Sequence, residues 1–181
     1  NTHAYDLDLN GIYQQKNLAT VLTSITELNK LGFNIQDANA RLALSQVKKL
    51  TGLHGRWDVI QDNPHVILDV AHNEDGIRQV LHQLSILEYD VLHIVIGMVR
   101  DKDQGRILSM MPVNAKYYFT NAGIPRALPA DELMKMAAAF KLEGDHYSNV
   151  NLALDAAKKV ANNKDLILVC GSVFVVGEVN N

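Results

Sequence analysis

The apolar and polar positions between residues 66 and 84 predict a strand, a polar turn and a helix. Residues 66–68 are three consecutive β-type apolar residues, which indicates a buried strand. The turn at residues 69–73 contains an aspartate, a histidine and an asparagine. Ligands of open α/β sheets bind beyond the carboxyl ends of the strands, and the amides at a helix start favour anions, so we look first for function at this turn. The apolar residues at helical spacing are Ile77, Val80, Leu81 and Leu84.

The same alternation continues along the chain and predicts an α/β fold. Strands that alternate with helices imply parallel crossovers, and hence a mostly parallel, doubly wound sheet with helices on both faces. Only Gly171 and Ser172 separate the last two strands, so we expect an antiparallel pair or one bent strand there. Ser148 is the expected cap of the last helix. The predicted strands are 57–61, 66–70, 91–98, 116–119, 166–171 and 173–179, and the predicted helices are 74–87, 103–111, 130–140 and 150–162.

The first third of the chain has a helical pattern and no strand pattern. One helix is expected over residues 16–31, where Gly32 follows as a C-terminal stop, and a second over residues 36–50. These helices form either a small subdomain that packs on the following sheet or the tail of an upstream domain, and we favour the tail. Two glycines in the stretch TGLHGRW, residues 51–57, indicate a hinge. The apolar face of the first helix consists of Leu18, Val21, Leu22, Ile25 and Leu28.

The composition is that of a globular protein. The chain has 181 residues, of which 48% are hydrophobic and 20% charged, with a formal net charge of -3. The basic residues are scattered, so we expect no nucleic-acid partner. No run approaches the roughly 20 apolar residues of a membrane helix, and NTHAYDLDLN lacks a signal-peptide pattern, so we expect a cytoplasmic protein without membrane association. The single cysteine, Cys170, follows apolar residues and is expected to be a buried, passive thiol.

Two common phosphate-binding motifs, GxxxxGK followed by Ser or Thr and GxGxxG, are absent from the sequence. The polar clusters that remain are Arg56, the turns at 69–73 and 97–103, and the pair Gly171-Ser172. The last three follow predicted strands, so a parallel sheet could place them at one edge. The histidines lack the short spacing of a zinc site, and Ser172 lacks the GxSxG surround of a nucleophile, so neither chemistry is expected.

Four polar residues each have a functional and a structural interpretation, and a fifth, Asn73, has a structural one. The guanidinium of Arg56 suits phosphate, although a lone arginine is more often solvated. The carboxylate of Asp69 suits a ribose diol, although a turn aspartate can also be satisfied by nearby amides. His72 could contact an anion or be a structural group, and Asn73 is the expected cap of the following helix. Lys102 could offset phosphate charge or neutralise its two acidic neighbours.

The succession GIYQQKN, LHGRW, VILDVAHN, GMVRDKD and CGSVFVVGEV resembles the C-terminal part of the dihydrofolate synthase and folylpolyglutamate synthase family, within the muramyl ligase superfamily. This resemblance implies that residues 53–181 form a Rossmann-like domain that closes over a nucleotide and glutamate. It also implies that residues 1–52 are the helical remnant and hinge of an upstream ATPase domain, which would carry the P-loop. The chain is therefore expected to be inactive by itself.

The resemblance also implies individual site residues. Asn17 in YQQKN, Arg56 in HGRW and Asp69 in LDVAHN match positions that bind ATP in the family. Their expected partners are the phosphates for Arg56 and the sugar hydroxyls for Asp69.

Four further positions follow from the same motifs. His72 and Lys102 are similar to positions expected to act in catalysis, with Lys102 near a phosphate. Ser172 in CGS is expected to bind substrate, near a phosphate or the incoming glutamate. Tyr13 stands where many relatives have histidine, so we assign it no catalytic role.

The activity that the resemblance implies is ATP-dependent amide formation. A substrate carboxylate is phosphorylated to an acyl phosphate, which the amino group of L-glutamate then attacks. The expected substrate is a folate or dihydropteroate, and the expected cofactors are ATP and Mg²⁺, with the Mg²⁺ ligands mainly in the upstream domain. Two alternatives stay open: a muramyl ligase that extends a cell-wall precursor, and a noncatalytic nucleotide-binding or interaction domain.

Overall fold

The computed structural model describes residues 4–101 and 103–180, and a six-stranded sheet lies at its centre. The strands are β1 (Arg56–Asp62), β2 (His65–Asp69), β3 (Leu92–Ile96), β4 (Lys116–Phe119), β5 (Gly144–His146) and β6 (Leu166–Cys170). They lie in the order β1-β2-β6-β3-β4-β5. β1 and β2 are antiparallel, and the other neighbouring pairs are parallel. The predicted mostly parallel sheet is confirmed.

Helices cover both faces of the sheet because successive strand residues point to opposite sides. Ile67 and Ile94 belong to a buried cluster with residues of the helices at 74–84, 104–110 and 130–138. Val66 and Val95 belong to a second cluster with residues of the helices at 150–160 and 173–177. The fold is therefore doubly wound, as predicted. The helices are α1 (Gln14–Lys30), α2 (Asp37–Leu44), α3 (Val47–Thr51), α4 (Glu74–Leu84), α5 (Gln104–Met110), α6 (Ala130–Ala138), α7 (Val150–Val160) and α8 (Val173–Gly177).

The predicted strand at residues 173–179 is wrong, because the chain forms α8 there. Gly171 has a φ of 99°, which turns the backbone away from the sheet directly after β6. The Ser172 hydroxyl oxygen then accepts a hydrogen bond from Phe174 N at 3.1 Å, and Val176 N donates to Ser172 O at 3.1 Å. The β-branched residues favour a strand locally, but the turn and the cap start a helix.

Three smaller differences concern the ends and lengths of elements. Asn149, not Ser148, caps α7, and its side chain accepts a hydrogen bond from Leu152 N at 2.9 Å. The predicted helix at 36–50 is divided into α2 and α3. Strand β5 was not predicted because its residues are exposed and carry no apolar pattern.

Helix α1 differs from the helices of the sheet because its apolar side is largely uncovered. Gln14 is its buried residue, while Val21 is exposed, as are Leu31 and Phe33 just beyond its end. An apolar helical stripe normally packs against another element. Within residues 4–101 and 103–180, no helix or strand packs extensively against α1.

None of the helices in the described part of the chain is both long and apolar enough to cross a membrane. The cytoplasmic location expected from the sequence stays a prediction.

Candidate functional site

Three polar turns meet at the carboxyl edge of the sheet, where β2, β6 and β3 end side by side. Gly171 N donates a hydrogen bond to Ala71 O at 2.9 Å, and Gly97 N donates to Cys170 O at 3.4 Å. These two bonds join the turn after β6 to the turns after β2 and β3. The prediction that the three turns share one edge is confirmed.

Asp69, the last residue of β2, is a buried acceptor at this edge. Its side chain receives three hydrogen bonds: Oδ1 accepts from Ala71 N at 2.9 Å, and Oδ2 accepts from Trp57 N at 3.0 Å and from the Tyr13 hydroxyl at 2.6 Å. Burial raises the pKa of Asp69, while these donors and the charge of Arg56 act in the opposite direction. Burial likewise raises the pKa of the Tyr13 phenol, and the adjacent carboxylate adds to the effect, so the phenol stays a donor.

The start of β1 places Arg56 beside Asp69. The two residues are partners in the antiparallel register, and β1 is irregular between Arg56 and Asp58. Trp57 takes a φ of 53°, which is uncommon for a bulky residue, and its amide donates to the Asp69 carboxylate. Gly55 has a φ of 73°, and a Cβ atom there would lie 2.6 Å from a methyl of Val176. The glycine of LHGRW is therefore required both by its backbone angle and by close packing.

A cleft of about 220 Å³ brings together three of the residues predicted to bind ATP: Asn17, Arg56 and Asp69. Arg56 is exposed on its wall and, among the described residues, pairs with no carboxylate. Asn17 donates from Nδ2 to Gln14 Oε1 at 2.7 Å, which fixes the orientation of its amide. The other lining residues are Tyr13, Lys16, Ala71, Asn73, Asp75, Gly76 and Gln79.

The first turn of α4 forms one side of the cleft. Asn73 is its N-cap, as predicted, and its side chain accepts a hydrogen bond from Gly76 N at 2.8 Å. The positive end of the helix dipole and the exposed cations Lys16 and Arg56 all favour a negatively charged group here. Asp75 is the exposed acidic residue of this wall.

Two other predicted site residues, His72 and Ser172, do not line this cleft. His72 is half-buried, and its Nδ1 lies 2.9 Å from Val70 O. A carbonyl oxygen can only accept, so Nδ1 carries the proton and Nε2 is left as the acceptor of the neutral ring. Ser172 is buried and caps α8, as described above. Lys102 lies outside the described residues.

Sequence reasoning missed two residues that hold the cleft together. Tyr13 donates to Asp69, and no local pattern could have indicated a contact so distant in sequence. Gln83 is a buried amide on α4: its Oε1 accepts from Ile12 N at 2.9 Å and its Nε2 donates to Asn10 O at 3.3 Å. The sequence did offer one signal for Gln83: it stands beside the apolar positions of the predicted helix. A polar side chain at such a position is expected to be buried and hydrogen-bonded.

No group of three His, Cys, Asp or Glu side chains suited to a metal ion occurs among residues 4–101 and 103–180. The predicted position of the Mg²⁺ ligands in another domain stays a prediction.

Comparison with known proteins identifies the family. Residues 55–173 match the family model described as "Mur ligase, glutamate ligase domain". This chain belongs to that family. The resemblance drawn from the motifs is thereby confirmed, and the cleft lies at the carboxyl edge of the Mur ligase domain.

Relatives and solved structures of the Mur ligase domain extend the match. A "probable bifunctional folylpolyglutamate synthase/dihydropteroate synthase" of Haloferax volcanii is 36% identical over 127 residues, which are 68% of this chain and 15% of the relative. The folylpolyglutamate synthase of Mycobacterium tuberculosis complexed with ADP has a TM-score of 0.80 at 25% identity, covering 94% of this chain and 40% of that chain. A bifunctional folylpolyglutamate synthase/dihydrofolate synthase with Mn, AMPPNP and L-glutamate bound has a TM-score of 0.73 at 25% identity, covering 96% and 39%. This chain thus spans at most 40% of the length of these three proteins.

Proposed function

We propose that this chain is the closing lobe of an ATP-dependent ligase that adds L-glutamate to the carboxylate of a folate or dihydropteroate. The relatives described above are named as folylpolyglutamate synthases, which supports a folate substrate over a cell-wall precursor. ADP or AMPPNP in two of the related structures supports a nucleotide as the ligand of the shared fold, and Mn with AMPPNP in one of them supports a divalent metal cofactor.

The observation that carries this proposal is the convergence of Asn17, Arg56 and Asp69 on one cleft beside the start of α4. The exposed guanidinium of Arg56 would bind the phosphates. The carboxylate of Asp69 would accept hydrogen bonds from the sugar hydroxyls, and the amide of Asn17 would contact the base. These roles suit the chemistry of each group and the negative charge that the cleft favours.

The size of the cleft supports a site divided between two domains. Small-molecule sites usually enclose roughly 300–1,000 Å³, whereas this cleft encloses about 220 Å³ and has no P-loop. The uncovered apolar side of α1 also supports a missing partner. We therefore assign residues 1–52 to the helical end of an ATPase domain and its hinge, and residues 53–181 to the Mur ligase domain.

The proposed reaction forms an amide through an acyl phosphate. ATP transfers its γ-phosphoryl group to the substrate carboxylate, the glutamate amino group attacks the acyl carbon, and phosphate leaves. Mg²⁺, bound mainly by the ATPase domain, would offset the charge on the phosphates. In this domain Arg56 would orient the phosphate chain, while His72 and Ser172 are proposed to act beyond the cleft, on the glutamate or the transferred phosphate. The proposed partner of Lys102 is a phosphate.

Steady-state kinetics of the full-length gene product test this function. Glutamate addition to a reduced folate, to dihydropteroate and to a muramyl precursor should be compared, and the folate-type substrates are expected to react. Arg56→Ala should lower kcat/KM for ATP by about 10- to 150-fold, since a hydrogen bond to a charged group contributes about 1.5–3 kcal/mol. Arg78→Ala, an exposed arginine of α4 that pairs with Glu74, is the matched control. Unchanged ATP kinetics in Arg56→Ala would remove Arg56 from the site.

A further inference from the structure

The Asp69 carboxylate is covered in the structure, although it is the proposed acceptor for the nucleotide. Asp69 is only 2% exposed. Two of its three donors are backbone amides of β1 and of its own turn, which belong to the sheet edge. The remaining donor is the side chain of Tyr13, from the segment that precedes the sheet. Among the described residues, Tyr13 is therefore the side-chain donor whose movement would free an acceptor position on the carboxylate.

While Tyr13 donates to Asp69, the carboxylate has too few free acceptor positions to bind both hydroxyls of a ribose diol. A carboxylate offers about four lone pairs, two on each oxygen. Oδ2 already accepts from Trp57 N and the Tyr13 hydroxyl, and Oδ1 accepts from Ala71 N. A single position on Oδ1 remains, whereas a ribose diol that donates from both hydroxyls needs two.

The segment that carries Tyr13 is attached to the sheet domain by few bonds. The side chain of Gln83 donates a hydrogen bond to Asn10 O and accepts one from Ile12 N, and the Tyr13 hydroxyl donates one to Asp69. Beyond this point α1 is mostly exposed, with Gln14 as its buried residue. A change at Tyr13 can therefore alter the start of α1 without disturbing the core of the sheet domain.

We propose that the Tyr13 hydroxyl occupies the place of a ribose hydroxyl on Asp69 and is displaced when a ribonucleotide binds. Tyr13 thus lowers the affinity for the sugar hydroxyls, and its release couples the filling of the cleft to the position of α1. This inference rests on the proposed nucleotide site and adds a residue that determines how that site recognises ribose.

Calorimetric titration of the full-length gene product and its Tyr13→Phe variant with ADP and with 2′,3′-dideoxy-ADP tests the proposal. Tyr13→Phe keeps the ring but removes the competing donor. ADP should bind the variant about tenfold more tightly than the wild type, because a charged acceptor is no longer shared. Dideoxy-ADP, which has no hydroxyl to offer Asp69, should bind both proteins equally. Tyr5→Phe is the matched control, since Tyr5 also donates to an aspartate, Asp37, at 2.9 Å but lies outside the cleft.

The remaining outcomes separate this inference from the proposed function. Weaker ADP binding by Tyr13→Phe would overturn it, because Tyr13 would then help to orient Asp69. An equal gain for both nucleotides would also overturn it, since the ring and not the hydroxyl would be responsible. If ADP binds the wild type but the variant gains nothing, the inference fails and the nucleotide site stands. If the wild type binds no nucleotide, the proposed function itself fails.

Discussion

Replacing Lys48 with methionine should destabilise the protein, because the Asp58 carboxylate would lose its ammonium partner. Lys48 lies on α3 and Asp58 on β1, so this ion pair joins the helical segment to the sheet. Lys48 Nζ and Asp58 Oδ1 are 2.5 Å apart, and the side chains are 28% and 9% exposed. The other oxygen, Oδ2, lies 3.3 Å from His54 Nδ1 and 3.5 Å from Gly55 N.

The expected loss follows from the partial burial of the pair. Removing one partner of a fully buried pair costs about 3–5 kcal/mol, whereas exposed pairs contribute about 0–1 kcal/mol. Lys48 keeps part of its side chain in water, and two other groups still contact the carboxylate of Asp58. We therefore expect the free energy of unfolding to fall by about 1–3 kcal/mol.

The effect should depend on pH in one direction. Burial raises the pKa of Asp58, but the hydrogen bonds from Lys48 and His54 and the Lys48 charge together outweigh it, so the net pKa is lowered. A group with a lowered folded-state pKa stabilises fully above its unfolded pKa, about 3.9 for aspartate, and this contribution is lost as pH falls through the folded value. The difference between wild type and variant should be constant near pH 7 and shrink below about pH 4.

Urea unfolding followed by tryptophan fluorescence measures this difference. Trp57 is the single tryptophan, is buried, and precedes Asp58 in β1. Lys49→Met is the control, since Lys49 is the exposed neighbour on the same helix. A double-mutant cycle with Asp58→Asn isolates the pair. Equal losses in Lys48→Met and Lys49→Met, or a difference that persists unchanged in acid, would refute the reasoning.

Three further predictions concern the stability of the sheet domain. Gly144→Ala should reduce the free energy of unfolding by at least about 2 kcal/mol, because a Cβ atom would lie 1.9 Å from Tyr117 O. Gly105→Ala is the control, since its Cβ atom would meet no atom closer than 3.7 Å. Thermal melting compares the two variants. Asn73→Ala should cost about 1 kcal/mol in urea unfolding through the lost cap of α4. Burial raises the pKa of the Cys170 thiol, so a thiol reagent should modify it only as the protein unfolds, and rapid labelling of the native protein would contradict this.

The parts of the fold that depend on local periodicity could be predicted from the sequence. Strand β2, helix α4 and the Asn73 cap follow from an apolar run, a change of period and one polar residue between them. Helix α8 could not, because Val173 to Val176 have the composition of a strand and their helix depends on the backbone angle of Gly171. Strand β5 could not either, since its pairing with β4 is visible only when the sheet is assembled.

The candidate site divides in the same way. That Asp69 ends a strand follows from the local pattern, and its adjacency to Arg56 depends on the antiparallel register of β1 and β2, which the sequence did not specify. Asn17 could be placed only through the family resemblance, because a helix of the preceding segment carries it. The Tyr13 contact depends on how that segment packs on the sheet, which no periodicity encodes.

The pairing of β1 with β2 has a consequence for how the proposed lobe would bind a nucleotide. Arg56 and Asp69 are register partners, so a rigid rotation of the sheet domain moves the proposed phosphate-binding cation and the proposed hydroxyl-binding acceptor together. Gly52 lies before β1 with a φ of 66° and open space around it, so backbone rotation there would leave that register unchanged. Preorganised groups lose less entropy on binding than groups that must be gathered one by one. In the proposed two-domain enzyme, a hinge outside the strand pair would therefore let closure change the distance to the ATPase domain while the geometry between Arg56 and Asp69 stays fixed.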